Sequence, residues 1–208
     1  MSSFRQLMMK KKSNEEYTFL NYIEMTQYTT PGYSQGMYID TGYSASGSLE
    51  IKTKIEVTTT DQNIPVFGCY TSNGGNYMHL TPYASSWYYT VGYANEQHSG
   101  TYNPTIGQEY VIDFNNNGEI IINDTSIASG KTFQGSGNIA IGRRGSGTGW
   151  YQSVFGVFKY YYFQIYDNGV LVRDFRPAKR NVDNVLGFLD MVNNVFYVNA
   201  GQGSFIGG

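Results

Sequence analysis

Leu49-Glu50-Ile51-Lys52-Thr53-Lys54-Ile55-Glu56-Val57-Thr58 decides the fold class. Leu49, Ile51, Thr53, Ile55 and Val57 alternate with Glu50, Lys52, Lys54, Glu56 and Thr58. Side chains on a strand point to opposite faces in turn, so this period of two predicts a strand with one buried and one wet face. The surrounding chain reads alike. Residues 65–70 and 77–80 flank Asn73-Gly74-Gly75-Asn76, and residues 110–114 and 119–123 flank Asn115-Asn116-Asn117-Gly118. Residues 185–189 and 195–198 flank Asn193-Asn194. Each is an apolar run closed by residues that tolerate turn geometry, the pattern of a hairpin.

Composition agrees. The chain has 208 residues, with 20 Tyr, 12 Phe, 25 Gly and 18 Asn but only 7 Leu and 7 Ala. Strand and turn formers abound and the best helix formers are scarce, which excludes a helical bundle or coiled coil. Strand-sized runs recur every 8 to 15 residues or so with no helical interval. The expected fold is therefore an all-β, two-sheet antiparallel sandwich forming one domain over residues 17–208.

Residues 154–166 are apolar on both faces. Alternation places Phe155, Val157, Tyr161, Phe163 and Ile165 on one face and Phe158, Tyr160, Tyr162 and Tyr166 on the other. Such a strand is covered on both sides. The second face is expected under the other sheet or against a neighbouring subunit, with Phe158, Tyr160 and Tyr162 as the oligomer face. A homo-oligomer is expected, and a trimer is the favoured assembly.

A net charge of −2 does not suggest a nucleic-acid partner. No run approaches the roughly 18 apolar residues of a membrane helix. The lone cysteine, Cys69, excludes an internal disulfide. No Glu-x-Asp-x-x-Glu run places two carboxylates for glycoside hydrolysis, and neither His79 nor His98 has a ligand-spaced partner. No catalytic residue, cofactor or metal is expected. The glycine-rich 145–149 segment lacks the Lys-Ser/Thr ending of a phosphate loop.

Residues 1–16 form a leader of different character. Phe4, Leu7 and Met8 supply apolar anchors, while Arg5, Lys10, Lys11 and Lys12 supply charge. The lysines follow the apolar cluster, the reverse of a signal peptide. This pattern reads as a docking peptide for an acidic groove on a partner.

The stretch from Lys159 to Asn168 and Gly169, then Leu171-Val172-Arg173-Asp174-Phe175-Arg176-Pro177, resembles the concanavalin A-like, laminin-G-type jelly roll of phage and gut-bacterial surface proteins. So do Val185-Leu186-Gly187-Phe188-Leu189-Asp190 and Tyr38-Ile39-Asp40-Thr41-Gly42. The resemblance runs from about residue 20 to the C-terminus, and residues 24–37 are longer than the usual opening. The leader is similar to those on proteins of crAss-like tailed phages. The resemblance implies a jelly roll on a virion, as a head fibre or tail-associated appendage. Its leader would dock to another virion protein, and its sandwich would bind host-surface glycans. Capsid or tail decoration without sugar affinity is the alternative.

Flat rings stack on the apolar faces of sugars, which makes Tyr88, Trp150, Tyr151 and Tyr83, all beside expected loops, the candidate ligand contacts. Trp87 and Tyr89 are expected in the core. Removing residues 1–12 is expected to abolish assembly on the particle while leaving the melt of the remainder unchanged. Co-sedimentation and a thermal melt check the two halves.

Overall fold

The computed structural model describes residues 16–30, 33–44, 49–58, 65–69, 77–83, 86–92, 96–99, 103–115, 117–130, 137–143 and 157–208. The docking residues of the leader, Trp150, Tyr151 and the 145–149 tip lie outside the described residues, as do the side chains of Tyr83 and Tyr88.

The strands fall into two antiparallel sheets and a small ribbon. In chain order, the large sheet holds β1 (Tyr17–Phe19), β2 (Ile23–Glu24), β6 (Leu49–Val57), β11 (Glu109–Phe114), β12 (Ile120–Ile122) and β13 (Thr125–Ala128). It continues with β15 (Phe158–Asp167), β16 (Val170–Arg180), β17 (Leu186–Asp190), β18 (Val195–Tyr197) and β19 (Ile206–Gly207). Its main path runs β13-β12-β11-β6-β15-β16-β17-β18. The smaller sheet holds β5 (Ile39–Ser44), β7 (Phe67–Cys69), β8 (Tyr77–Tyr83), β9 (Ser86–Gly92), β10 (Glu96–Ser99) and β14 (Asn138–Ile141), in the order β10-β9-β8-β7-β14-β5. The extra length at 24–37 forms a separate ribbon of β3 (Gln27–Thr30) and β4 (Tyr33–Gly36).

The core lies between the two sheets. Leu49, Ile51, Thr53, Ile55 and Val57 are all buried, as their alternation predicts. Phe67 of the small sheet meets Phe163 edge-on at 5.7 Å, and Trp87 meets Tyr110 at 5.2 Å. Trp87 and Tyr89 are core residues, as expected. The Tyr160 hydroxyl crosses the gap and donates to the Val66 carbonyl at 2.7 Å. Burial pushes that phenol well above its ordinary pKa.

Turns sit where the asparagines stand. Asn168 and Gly169 take φ of 50° and 75°, so the two-residue turn between β15 and β16 matches the twist of its strands. Asn115 cradles the β11–β12 turn, its Oδ1 accepting from the amides of Asn117 and Glu119 at 3.0 and 3.1 Å. Buried Asp190 anchors the β17–β18 turn by accepting from the Val192 amide and the Asn193 side chain.

One irregularity corrects the expected faces of residues 158–166. Against β6, Tyr160 pairs with Ile55 and Tyr162 with Lys54, leaving Tyr161 as an extra residue in a β-bulge. Alternation restarts beyond it. Phe158, Tyr160, Phe163 and Ile165 all point into the core and are fully buried. Phe158 and Tyr160 are therefore covered by this chain's own second sheet and not by another subunit. Tyr161 and Tyr162 are both left on the outside.

The bulge also marks a change of partner. Beyond it β15 pairs with β16 from Phe163 to Asp167; before it, Lys159 and Tyr160 pair with β2. The far end of β16 pairs with β1. Residues 17–24 thus wedge between two strands that separate, and the Gly208 carbonyl accepts from the Asn21 and Tyr22 amides there.

Tyr160→Phe tests the bond between the layers. The Val66 carbonyl keeps a second donor, the Gly142 amide at 2.9 Å, so the expected loss is about 1 kcal/mol rather than the full cost of an orphaned acceptor. Urea denaturation with an unchanged slope measures it.

Candidate functional site: the outer face of the large sheet

The bulge gives the outer face of β6, β11, β15 and β16 a grid of rings and charges. One row runs Asp113, Lys52, Gln164, Asp174 across four strands. The next holds Val111, Lys54 and Tyr162, with Arg176 from β16 beside the ring. A third runs Glu109, Glu56, Lys159, Glu24. Glu50 stands opposite Tyr166 at the hairpin end.

Four cations on this face are each paired with a carboxylate. Lys54 reaches Glu109 at 2.6 Å, Lys159 reaches Glu56 at 2.8 Å, and Arg176 reaches Asp174 at 2.8 Å. Lys52 is shared between Glu50 at 2.7 Å and Asp113 at 3.4 Å. The same cations stand over aromatic rings. Lys54 is 4.6 Å from the Tyr161 centroid, Lys52 5.4 Å from Tyr166, Lys159 5.0 Å from Tyr22 and Arg176 5.2 Å from Tyr162. Tyr22 meets Tyr161 edge-on at 6.1 Å. Amide and phenol bonds tie the rows together: Gln164 donates to Asp174 at 3.1 Å, and Tyr166 donates to Gln164 at 3.3 Å.

Glu56 and Glu109 are direct cross-strand partners. Two like charges opposite each other destabilise a sheet unless something intervenes. Here Lys54 and Lys159 flank them, and the Tyr161 hydroxyl donates to Glu56 at 3.2 Å. The hydrogen bond from Lys54, then that from Tyr161, holds the Glu109 carboxyl below its usual range. Desolvation, then the bond to Glu109, pushes the Tyr161 phenol up. A general acid for glycoside cleavage needs a raised carboxyl facing the substrate. Asp113 is raised by its burial, but its Oδ1 is buried without a partner and its Oδ2 faces Lys52.

The smaller sheet's outer side is different. Register places Tyr88 opposite Thr81 and His98, and Tyr83 opposite Ser86. Trp87, Tyr89 and Leu80 fill the inward positions, so His79 and Thr81 occupy the outward register of β8. Both are nonetheless buried, at 1% and 0% exposure. That part of the outer side is covered by the chain itself. Of the candidates, Trp150, Tyr151 and the side chains of Tyr88 and Tyr83 lie outside the described residues. The sequence reading passes over Tyr22, Tyr161 and Tyr166 as ligand contacts and gives Tyr162 to a subunit interface. Among the described residues, no group of three or more His, Cys, Asp or Glu side chains could hold a metal ion.

No protein-family model and no curated protein matches this chain. Several solved structures resemble it, among them these two. A native heptameric SAP-like pentraxin from Limulus polyphemus aligns with a TM-score of 0.50 and 12% identity, over 70% of this chain and 76% of that one. Domain 4 of AbnA, an extracellular arabinanase from Geobacillus stearothermophilus, solved in complex with arabinotriose, gives 0.43 and 16% over 64% and 66%. At such identities the pentraxin likeness is one of fold. This chain is a jelly-roll sandwich.

Asp113 offers a pH test of the grid. Burial favours its neutral form in the fold. Its contribution to stability is therefore full below the ordinary aspartate pKa of about 4 and is lost as the pH rises through the folded value. Asp113→Asn keeps an oxygen for Lys52 and removes the ionisation. Its denaturation midpoint is expected above that of the wild type near pH ~7, the gap closing towards pH ~3.

Proposed function

We propose that this chain is a non-enzymatic glycan-binding component of a phage virion, a head fibre or tail-associated appendage. Its jelly roll contacts host-surface glycans, and its leader docks to another virion protein. The observation that carries the binding role is the partly exposed, aromatic outer face of the large sheet. Tyr161, Tyr162, Tyr166 and Tyr22 supply flat rings, and Glu56, Glu109, Gln164 and Asp174 supply acceptors between them. Rings take the C–H faces of a sugar and the polar groups read its hydroxyls. The non-enzymatic reading is supported by the sequence, which holds no Glu-x-Asp-x-x-Glu run. The virion placement is supported by the leader, whose anchors and basic cluster suit a groove on a larger particle. Such a shallow face binds weakly alone, and a homo-oligomer, a trimer for choice, would raise its avidity.

A glycan array and a host-cell pull-down with the full chain test this reading. Binding is expected, lost in Tyr161→Ala/Tyr166→Ala and retained in Tyr88→Ala. A blank array, with the chain still seated on virions, leaves a purely structural decoration protein.

A further inference from the structure

The charges of this face carry a statement about its ligand beyond glycan binding in general. A sugar hydroxyl both donates and accepts, so it suits a surface where donors and acceptors alternate. An ionised substituent needs an uncompensated opposite charge, because taking it from water otherwise costs more than it returns. Lys52, Lys54, Lys159 and Arg176 are each held by a carboxylate on the same or the adjacent strand, at 2.6–2.8 Å for the shorter contact of each. An anionic sugar would have to displace Glu50, Glu109, Glu56 or Asp174 from its cation and then lie beside it. The carboxylates are only partly used: an ionised carboxylate offers about four lone-pair sites. An ammonium has three donors, and Lys54 and Lys159 each show one carboxylate partner here.

The rings add a direction. Tyr162 and Tyr166 share the outer face of β15 and are separated by four strand steps, a run of ~13 Å. Tyr161 and Tyr22 extend it past the bulge. A short linear oligosaccharide laid along β15 would cover this run and pass the Gln164–Asp174 pair on its way.

We propose that this face takes a neutral, hydroxyl-rich oligosaccharide along β15 and rejects uronate, sialylated and sulfated chains. The inference rests on the glycan-binding reading above and narrows it. The experiment is titration calorimetry of the full chain with neutral hexose oligosaccharides (cello-, laminari- and malto-tetraose), with oligogalacturonate and with sialyllactose, at low and high salt.

At least one neutral ligand is expected to bind with an affinity that salt leaves unchanged, and the acidic ones are expected to stay silent. Tyr166→Ala should weaken the neutral ligand about tenfold, the loss of one aromatic contact. Glu109→Gln releases Lys54 and should admit oligogalacturonate in a salt-sensitive way. Glu109 is half-exposed, and circular dichroism confirms that the variant folds. Acidic ligands binding the wild type with a steep salt dependence overturn this proposal and leave the glycan-binding reading standing. Neutral binding indifferent to Tyr166→Ala overturns the placement on β15. Silence of every sugar overturns both.

Discussion

One extra residue in a single strand organises this molecule. Tyr161 has no opposite number on β6, so the side chains of β15 change phase between Tyr160 and Phe163. Without that shift, a strand holding Phe158, Tyr160 and Tyr162 on one side would keep Phe163 and Ile165 on the other, and either set would face water. With it, the four large apolar groups Phe158, Tyr160, Phe163 and Ile165 are all buried. Burying a side chain of this size returns roughly 1.5–3 kcal/mol, far more than one unpaired strand position costs. The bulge is the arrangement that buries both halves of the strand. Its by-product is two consecutive tyrosines on the outside.

That by-product needed management. An aromatic sheet face open to water is an aggregation hazard. The neighbours of Tyr161, Tyr162 and Tyr166 are long charged side chains whose cationic heads stand over the rings. Exposed ion pairs add little to stability, so the Lys–Glu ladder is better understood as a cover than as a brace. A cover of this kind can be shared with a ligand. The cationic heads lie over the ring faces, and under the glycan-binding proposal a sugar would compete for the same place.

Much of the architecture was legible. The alternation from Leu49 to Val57 fixes both the strand and its buried face, and the asparagine-rich turns at 115–118, 168–169 and 193–194 announce three hairpins found in the fold. The bulge was not legible, for a physical reason: Tyr160-Tyr161-Tyr162-Phe163 is aromatic at every position, so no change from apolar to polar marks the slip in phase. The only trace is Lys159 and Gln164, polar residues five apart on one strand. Five is odd, and with unbroken alternation one of them would have to face the core. The rings of the outer face were hidden by the same run: Tyr161, Tyr162 and Tyr166 stand on a strand whose sequence looked fully committed to packing.

If the leader docks as proposed, the wedge of residues 17–24 would tie the platform to the partner. The Glu16 carbonyl accepts from the Asn181 amide, and Tyr17 pairs with Arg180, at the end of β16 remote from the 168–169 turn. From there the eleven residues of β16 run back to Val170, roughly 35 Å away. A chain anchored through residues 1–12 would therefore present that turn outward. Its row of tyrosines would then run along the sheet from the anchored end, at Tyr22, towards the free end, at Tyr166. Such a row lies along the direction of mounting, so adjacent copies could offer parallel tracks to surface polysaccharide instead of a single terminal pocket. Under the glycan-binding proposal, recognition would then rest on many shallow contacts, since the described face is a sheet surface and encloses nothing.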